Sequence, residues 1–179
     1  NMIITNLKSE EQEYDNLNLA RIREILQELT YTREWTRYIT CFACDVDYVY
    51  SNRSHYANKW PAWLDHLTFA VSFHPDIPID YRNDWNHCLI NRYRPYNTLA
   101  KHKDDEECLE GSILSISFGG PATFSYSSEY HGPGKEVVLN DLDVMIANEQ
   151  WFKEHWHSVK NGAEERFNLT FRKVVGSDD

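Results

Sequence analysis

Of the eight histidines in this chain, His102 stands in the setting most suggestive of chemistry. It lies in Lys101-His102-Lys103-Asp104-Asp105-Glu106-Glu107, an H-x-D arrangement with an imidazole and a carboxylate two residues apart. On extended backbone, residues i and i+2 point to the same face, so His102 and Asp104 can share one metal ion. His157, 55 residues further on, supplies a candidate third ligand. Two histidines and one carboxylate form the facial triad that leaves coordination positions open on non-haem Fe(II). Taken alone, H-x-D reads more readily as a solvated acidic turn. His55, His66, His74, His87 and His131 lack a partner at ligand spacing and read as surface or core histidines.

The run Arg166-Phe167-Asn168-Leu169-Thr170-Phe171-Arg172 strengthens the metal reading. Strict alternation puts Arg166, Asn168, Thr170 and Arg172 on one face and Phe167, Leu169 and Phe171 on the other. Inside a barrel one face of each strand lines the lumen. Arginines directed there require anions, because unpaired buried charge is costly. A small dicarboxylate meets that demand, since guanidinium forks take carboxylates bidentately. Six residues of strand separate the two Cα atoms by roughly 20 Å, so both side chains must lean toward one ligand or serve different ones. Cys41-Phe42-Ala43-Cys44 is a C-x-x-C without a second such pair; Cys88 and Cys108 lie far off. The cysteines are expected to be reduced thiols in a reducing, cytoplasmic compartment.

Elements must hold these groups in place. Leu19, Ile22, Ile25, Leu26 and Leu29 predict a helix over 16–30, with Asp15 or Asn16 as its cap. Residues 35–51 read as one or two aromatic-rich strands, 51–59 as a polar loop, and Pro61 as the start of a helix carrying Trp63, Leu64, Leu67, Ala70 and Val71. Residues 74–84, with two prolines, read as a connector. Short β-like runs follow at 88–93, 113–118, 122–126, 136–139, 144–147 and 166–175, punctuated by Gly119-Gly120-Pro121 and Gly132-Pro133-Gly134. Such spacing suggests a jelly roll or related barrel with helices packed outside.

With 179 residues, the chain is expected to form one domain. Its 18 Lys and Arg against 28 Asp and Glu give a net charge of −10, which argues against coating nucleic acid through bulk charge but permits a local basic groove. Aromatics reach 14%, so the chain needs either a large core or stacking surfaces. No apolar run approaches the ~18–20 residues of a membrane helix, and no secretory pattern precedes the first elements. Asn1 ahead of Met2 reads as a remnant before a natural start at Met2. A monomer without a membrane partner is the expectation.

Asn91-Arg92-Tyr93, His102-x-Asp104, His157 and the Arg166–Arg172 run together resemble the AlkB family of Fe(II)/2-oxoglutarate dioxygenases. Cys88–Tyr93 is similar to that family's strand before the metal site and Ile113–Gly119 to its next core strand. Tyr48-Val49-Tyr50-Ser51 with Trp60-Pro61 is similar to the region upstream. The similarity covers about residues 36–174; the order and spacing of four motifs make it specific, and the first thirty residues lie outside it. Residues 102–108 also resemble the AlkB-like domains of some plant RNA viruses.

The resemblance implies an α+β fold with a double-stranded β-helix (jelly-roll) core, N-terminal helices and a substrate lid. It divides the chain into an N-terminal helical extension (1–35), a lid (36–60) and a catalytic core (86–175). It implies Fe(II) on His102, Asp104 and His157, and 2-oxoglutarate held by Asn91, Tyr93, Arg166, Asn168 and Arg172, with the pairing of arginine to carboxylate open. It implies that Glu106 reads the exocyclic amine of the target base and that Phe42, Tyr48 and Tyr50 form an aromatic lid over it. Phe42 and Tyr48 read equally well as core aromatics. Lesions such as 1-methyladenine or 3-methylcytosine in DNA or RNA would lose their methyl as formaldehyde, with dioxygen consumed and succinate and CO2 released. A flipped or single-stranded base is required, with Arg33, Arg37, Arg53, Lys59, Lys101 and Lys103 as candidate phosphate contacts. The same chemistry on a small-molecule or protein substrate is the alternative, and a non-catalytic binding module is a third reading. Three departures stand out. The family's tryptophan lid falls near Cys41 or Phe42, His155 competes with His157, and only nine residues separate His157 from Arg166.

Overall fold

Strand alternation on one central element organises the molecule. A computed structural model describes residues 1–8, 17–48 and 56–176, together with the backbone of 49–50 and 53–54. Its strands are β1 (Ile3–Asn6), β2 (Thr32–Glu34), β3 (Arg37–Ala43), β4 (Val49–Tyr50), β5 (Arg53–Ser54), β6 (Asn58–Lys59) and β7 (His87–Tyr93). Then follow β8 (Thr98–His102), β9 (Ser112–Gly119), β10 (Ala122–Ser127), β11 (Lys135–Leu139), β12 (Asp143–Asn148), β13 (Trp156–Asn161) and β14 (Arg166–Arg172). Helices α1 (Leu19–Glu28), α2 (Ala62–Ser72) and α3 (Glu149–Glu154) complete the described elements, with a single 3-10 turn at Ile79–Tyr81.

The larger sheet runs β1-β12-β9-β14-β7-β3-β2, with β6 joined to β3; the smaller runs β11-β10-β13-β8. Pairing is antiparallel throughout except β3 with β6, as a jelly roll requires. β14 is hydrogen-bonded on both sides, to β7 from Arg166↔Tyr93 to Arg172↔His87 and to β9 from Arg166↔Gly119 to Phe171↔Leu114. Its Phe167, Leu169 and Phe171 enter a core shared with Leu26 of α1 and Leu64 and Leu67 of α2. The opposite face of the larger sheet packs Ile39, Leu89, Ile113 and Met145 against Phe124 and Leu139 of the smaller sheet. The expected alternation of the 166–172 run therefore separates a dry helix-facing core from the space between the sheets.

Several local expectations change. Helix α1 begins at Leu19 because Asn18 caps it, its side chain accepting from Arg21 N at 3.0 Å. The sequence-based caps Asp15 and Asn16 lie outside the described residues. The N-terminal extension is not wholly helical, since β1 pairs with β12 as an edge strand. Within the expected lid, β3 is an interior strand of the larger sheet, paired with β2 and β7. Strands β8 and β13 fall where no strand was expected, because their polar residues face either solvent or the site described below.

Leu67 is completely buried between α2 and the larger sheet. Leu67→Ala is expected to lower unfolding free energy by about 2–5 kcal/mol in urea titration.

Candidate active site

The smaller sheet brings two histidines face to face. His157 of β13 pairs directly with His102, the last residue of β8, and their ring centroids lie 4.2 Å apart. Just past the strand end, Asp104 turns its carboxylate between them: Oδ1 stands 4.0 Å from His102 Nε2 and Oδ2 3.9 Å from His157 Nε2. The three ligand atoms lie within 4.8 Å of one another. Each imidazole is oriented from behind. His102 Nδ1 is 2.9 Å from Ala100 O and His157 Nδ1 is 3.1 Å from His155 O. A carbonyl only accepts, so both Nδ1 atoms carry the proton and both Nε2 lone pairs are available to a metal.

Electrostatics agree with that donor set. Burial pulls the His157 pKa down to about 4, so its ring is neutral near pH 7. Burial alone would raise the Asp104 pKa, but Arg172, His157 and His102 outweigh it and hold the carboxyl below its ordinary range. Two imidazole nitrogen donors and one anionic oxygen suit a divalent non-haem iron. His155 takes no part: its Nδ1 lies 2.7 Å from Trp151 O, and its ring stacks on Trp151 at 4.3 Å and 13°.

A cavity runs from this cluster between the sheets, lined by Asn91, Tyr93, Arg166, Asn168 and Arg172 among others. Arg172 donates from Nη2 to Asp104 Oδ2 at 3.3 Å, which puts this guanidinium at the metal end. Six residues along β14, Arg166 donates from Nη2 to Ser117 Oγ at 2.8 Å, and its guanidinium carbon lies 5.6 Å from the centre of the Tyr93 ring. Arg166 is 1% exposed, yet its Nε and Nη1 have no partner; the same two atoms of Arg172 and Oδ1 of Asn91 are likewise buried and unpaired. Orphaned guanidinium donors at both ends of one cavity are what a bound dicarboxylate would satisfy, and 2-oxoglutarate fits that demand. Asn168 plays a more structural part, donating to Ser115 Oγ at 2.6 Å and accepting from Thr170 Oγ1 at 2.8 Å. Ser115 and Ser117 escaped the sequence reading. Their signal was polar residues at every second position of the otherwise apolar Ile113–Phe118 run.

A second, open cleft meets the metal cluster from outside, lined by Trp35, Arg37, Tyr48, His102, Lys103 and Glu106 among others. Tyr48 is 2% exposed, set edge-on to His87 at 5.0 Å, with the Arg172 guanidinium carbon 5.5 Å from its ring centre. Burial pushes its phenol pKa up and the neighbouring Glu106 carboxylate adds to the rise. Glu106 Oε2 is buried and unpaired. Phe42 corrects the expected lid. It faces the helix-side core and packs edge-on against Trp63 at 6.0 Å, because alternation along β3 turns Cys41, not Phe42, toward the space between the sheets. The Tyr50 side chain and Arg53 side chain lie outside the described residues. Arg37 is also no surface phosphate contact, being 12% exposed and paired with Glu34 at 3.4 Å. Of the C-x-x-C pair, Cys41 is buried and Cys44 exposed, and all four cysteines are free thiols. Among the described residues no helix is long and apolar enough to cross a membrane.

The model of the 2OG-Fe(II) oxygenase superfamily matches residues 3–172 of this chain, so the match begins well before the motif-bearing region. The RNA replication polyprotein of Apple stem pitting virus is 33% identical over 133 residues, 73% of this chain but 6% of that polyprotein. The alpha-ketoglutarate-dependent dioxygenase AlkB of Escherichia coli is 32% identical over 143 residues, 71% of this chain and 63% of that protein. The chain thus spans less than two thirds of either relative. The solved structure of OsALKBH1 superposes with a TM-score of 0.68, covering 96% of this chain and 97% of that one at 16% identity, a likeness of fold.

Isothermal titration of Fe(II) under anaerobic conditions is expected to show at least about 100-fold weaker binding in His157→Ala and unchanged binding in His155→Ala. Phe42→Ala should keep iron affinity while losing about 3–5 kcal/mol of stability. Arg166→Met should bind 2-oxoglutarate far more weakly with no loss in melting temperature, since it removes an unpaired buried charge without opening a void.

Proposed function

The chain belongs to the 2OG-Fe(II) oxygenase superfamily, and we propose that it turns this chemistry on N-methylated bases of nucleic acid, RNA in particular. The observation that carries the reading is the unpaired, buried carboxylate oxygen of Glu106 in the same cleft as His102. A carboxylate there accepts from the exocyclic amine of adenine or cytosine, the pairing that reads those bases by their edges. RNA is preferred because relatives such as the Apple stem pitting virus polyprotein are RNA replication proteins. AlkB, at 32% identity, supports the iron and 2-oxoglutarate chemistry.

In this reading His102, Asp104 and His157 hold Fe(II), while Arg172 and Arg166 take the two ends of 2-oxoglutarate. Arg172 serves the carboxylate nearer the metal because it already touches Asp104; Arg166, at the Ser117 end, serves the distal one. Bound iron, 2-oxoglutarate and dioxygen supply the oxidant that hydroxylates the N-methyl carbon. The residues of the chain do the positioning. Glu106 fixes the base edge, and Tyr48 supports Glu106 from below. The apolar cavity wall of Leu89, Ile113 and Phe152 keeps bulk water from the 2-oxoglutarate end. One dioxygen is consumed: one oxygen atom enters succinate and the other leaves in formaldehyde, as the methylated ring nitrogen of 1-methyladenine or 3-methylcytosine regains its lone pair, the hydroxymethyl proton is released and 2-oxoglutarate loses CO2. With a net charge of −10, affinity for nucleic acid is expected to be modest, salt-sensitive and confined to short single-stranded stretches.

Mass spectrometry of a mixed panel of methylated DNA and RNA oligonucleotides, incubated with Fe(II) and 2-oxoglutarate, should show demethylation of 1-methyladenine and 3-methylcytosine, fastest in RNA. Succinate formation driven far better by a small metabolite than by any oligonucleotide would overturn the assignment. Glu106→Gln should lower kcat/KM on 1-methyladenine by about 10- to 100-fold, the cost of weakening a charged hydrogen bond. On 3-methyluracil, which presents a carbonyl at that edge, it should cause no such loss.

A further inference from the structure

Large aromatic side chains left in water need a reason, and two of them share one groove. Tyr56 at 88% and Trp35 at 82% are the most exposed large hydrophobic side chains among the described residues. Both line a surface groove formed by Thr30, Thr32, Arg33 and Glu34 on one side and Asn58 on the other, with Thr40 and Cys41 of β3 in its floor. Trp35 and Glu34 belong to this groove and also to the cleft that reaches His102 and Glu106. Trp35 is therefore the ridge between the two, and a chain leaving the cleft on that side must cross it.

The ridge is held in place. Trp35 and Thr36 form the two-residue turn between β2 and β3, where Glu34 pairs with Arg37 in the strand register. Trp35 has φ of +54°, left-handed backbone that glycine would adopt at less cost. The turn is fastened by the Glu34–Arg37 ion pair, 13% and 12% exposed, and by Thr36 Oγ1 donating to Thr98 O at 2.5 Å. On the far wall Asn58 donates to Thr40 Oγ1 at 3.2 Å and to Cys41 O at 2.9 Å, pinning the segment that carries Tyr56 onto β3. Arg33 is exposed, and Glu34, the only carboxylate lining the groove among the described residues, is already paired. Two exposed rings on a fastened backbone, a cation and a neutralised acid make a stacking platform with a phosphate contact, the chemistry that holds single-stranded nucleic acid.

We propose that this groove is a second subsite, which binds the nucleotide adjoining the one being demethylated: Trp35 and Tyr56 stack on its base and Arg33 meets its phosphate. The proposal rests on the nucleic-acid reading given above and adds a requirement on substrate length. It makes Trp35, Tyr56 and Arg33 positioning residues, remote from the reacting methyl group.

The test compares kcat/KM for three substrates carrying the same methylated base: a nucleoside monophosphate, a single-stranded pentanucleotide, and that pentanucleotide with abasic sites on both flanks. Wild-type enzyme should prefer the intact pentanucleotide, mainly through KM. In Trp35→Ala and Tyr56→Ala the ratio of pentanucleotide to monophosphate kcat/KM should fall by about five- to 100-fold. The abasic substrate should cost wild type a comparable factor and the variants almost nothing further. Anisotropy of a labelled, unmethylated pentanucleotide should show the same loss of affinity without turnover. The subsite is overturned if wild-type enzyme demethylates oligonucleotides but neither variant nor abasic flanks alter that ratio. If wild-type enzyme acts on no oligonucleotide while still turning over 2-oxoglutarate, the nucleic-acid reading fails first and the subsite falls with it.

Discussion

A single buried carboxylate sets the terms for this molecule. Asp104 lies between two imidazoles and the Arg172 guanidinium, all but closed off from water. Burying an ionised carboxyl is costly unless charge and hydrogen bonds surround it. Arg172 supplies both, yet Arg172 is itself buried and leaves two nitrogens unpaired. The pair is thus half a solution, stable enough to preform the site and incomplete enough to demand a ligand. Placing Arg172 beside Asp104 requires the end of β14 to meet the end of β8 across the gap between two sheets. The architecture follows from that demand.

Strand β14 meets it by separating two environments at a period of two. Its phenylalanines and leucine anchor to the helices, and the same backbone presents arginines and an asparagine to the opposite side. Hydrogen bonding to β7 and β9 along its length prevents slippage, and a slip of one residue would exchange the faces outright. The rigidity of the cavity is that of the middle of a sheet. The outer cleft is built instead from hairpin turns and short strands, and that is where adaptation to different substrates is cheapest.

What could be read from the linear chain follows the same division. Where one strand carries a function by itself, alternation was enough: the 166–172 run announced both its dry and its polar face, and H-x-D pointed to two residues that the fold brings together with His157. Strands β8 and β13 were not legible, because Thr98–His102 and Trp156–Asn161 show no run of alternating apolar residues; Leu99 and Val159 turn to the space between the sheets beside the histidines. Phe42 reads as either lid or core in the sequence because a C-x-x-C run with an aromatic inside it carries no marker of which side is core; the structure puts it in the core. His157 is preferred to His155 on the resemblance of His157-Ser158-Val159 to the family's pattern, and the pairing of β13 with β8, a contact across 55 residues, sets it opposite His102. The seryl pair in β9 was visible but had no meaning until Arg166 and Asn168 were seen to lean on it.

Among the described residues, β8 lies at the margin of the smaller sheet, with β13 as its single neighbouring strand. Two of the three candidate ligands, His102 and Asp104, therefore sit on or just beyond a strand with a backbone ladder along one side only, while His157 belongs to the interior strand. An ion held by all three would act as a clasp across that margin, where the backbone ladder is one-sided. Occupancy of the site and closure of the sheet edge would then be coupled, and loss of the ion would loosen this corner of the molecule. Backbone amide exchange along β8 is then a gauge of how much of the protein carries its metal.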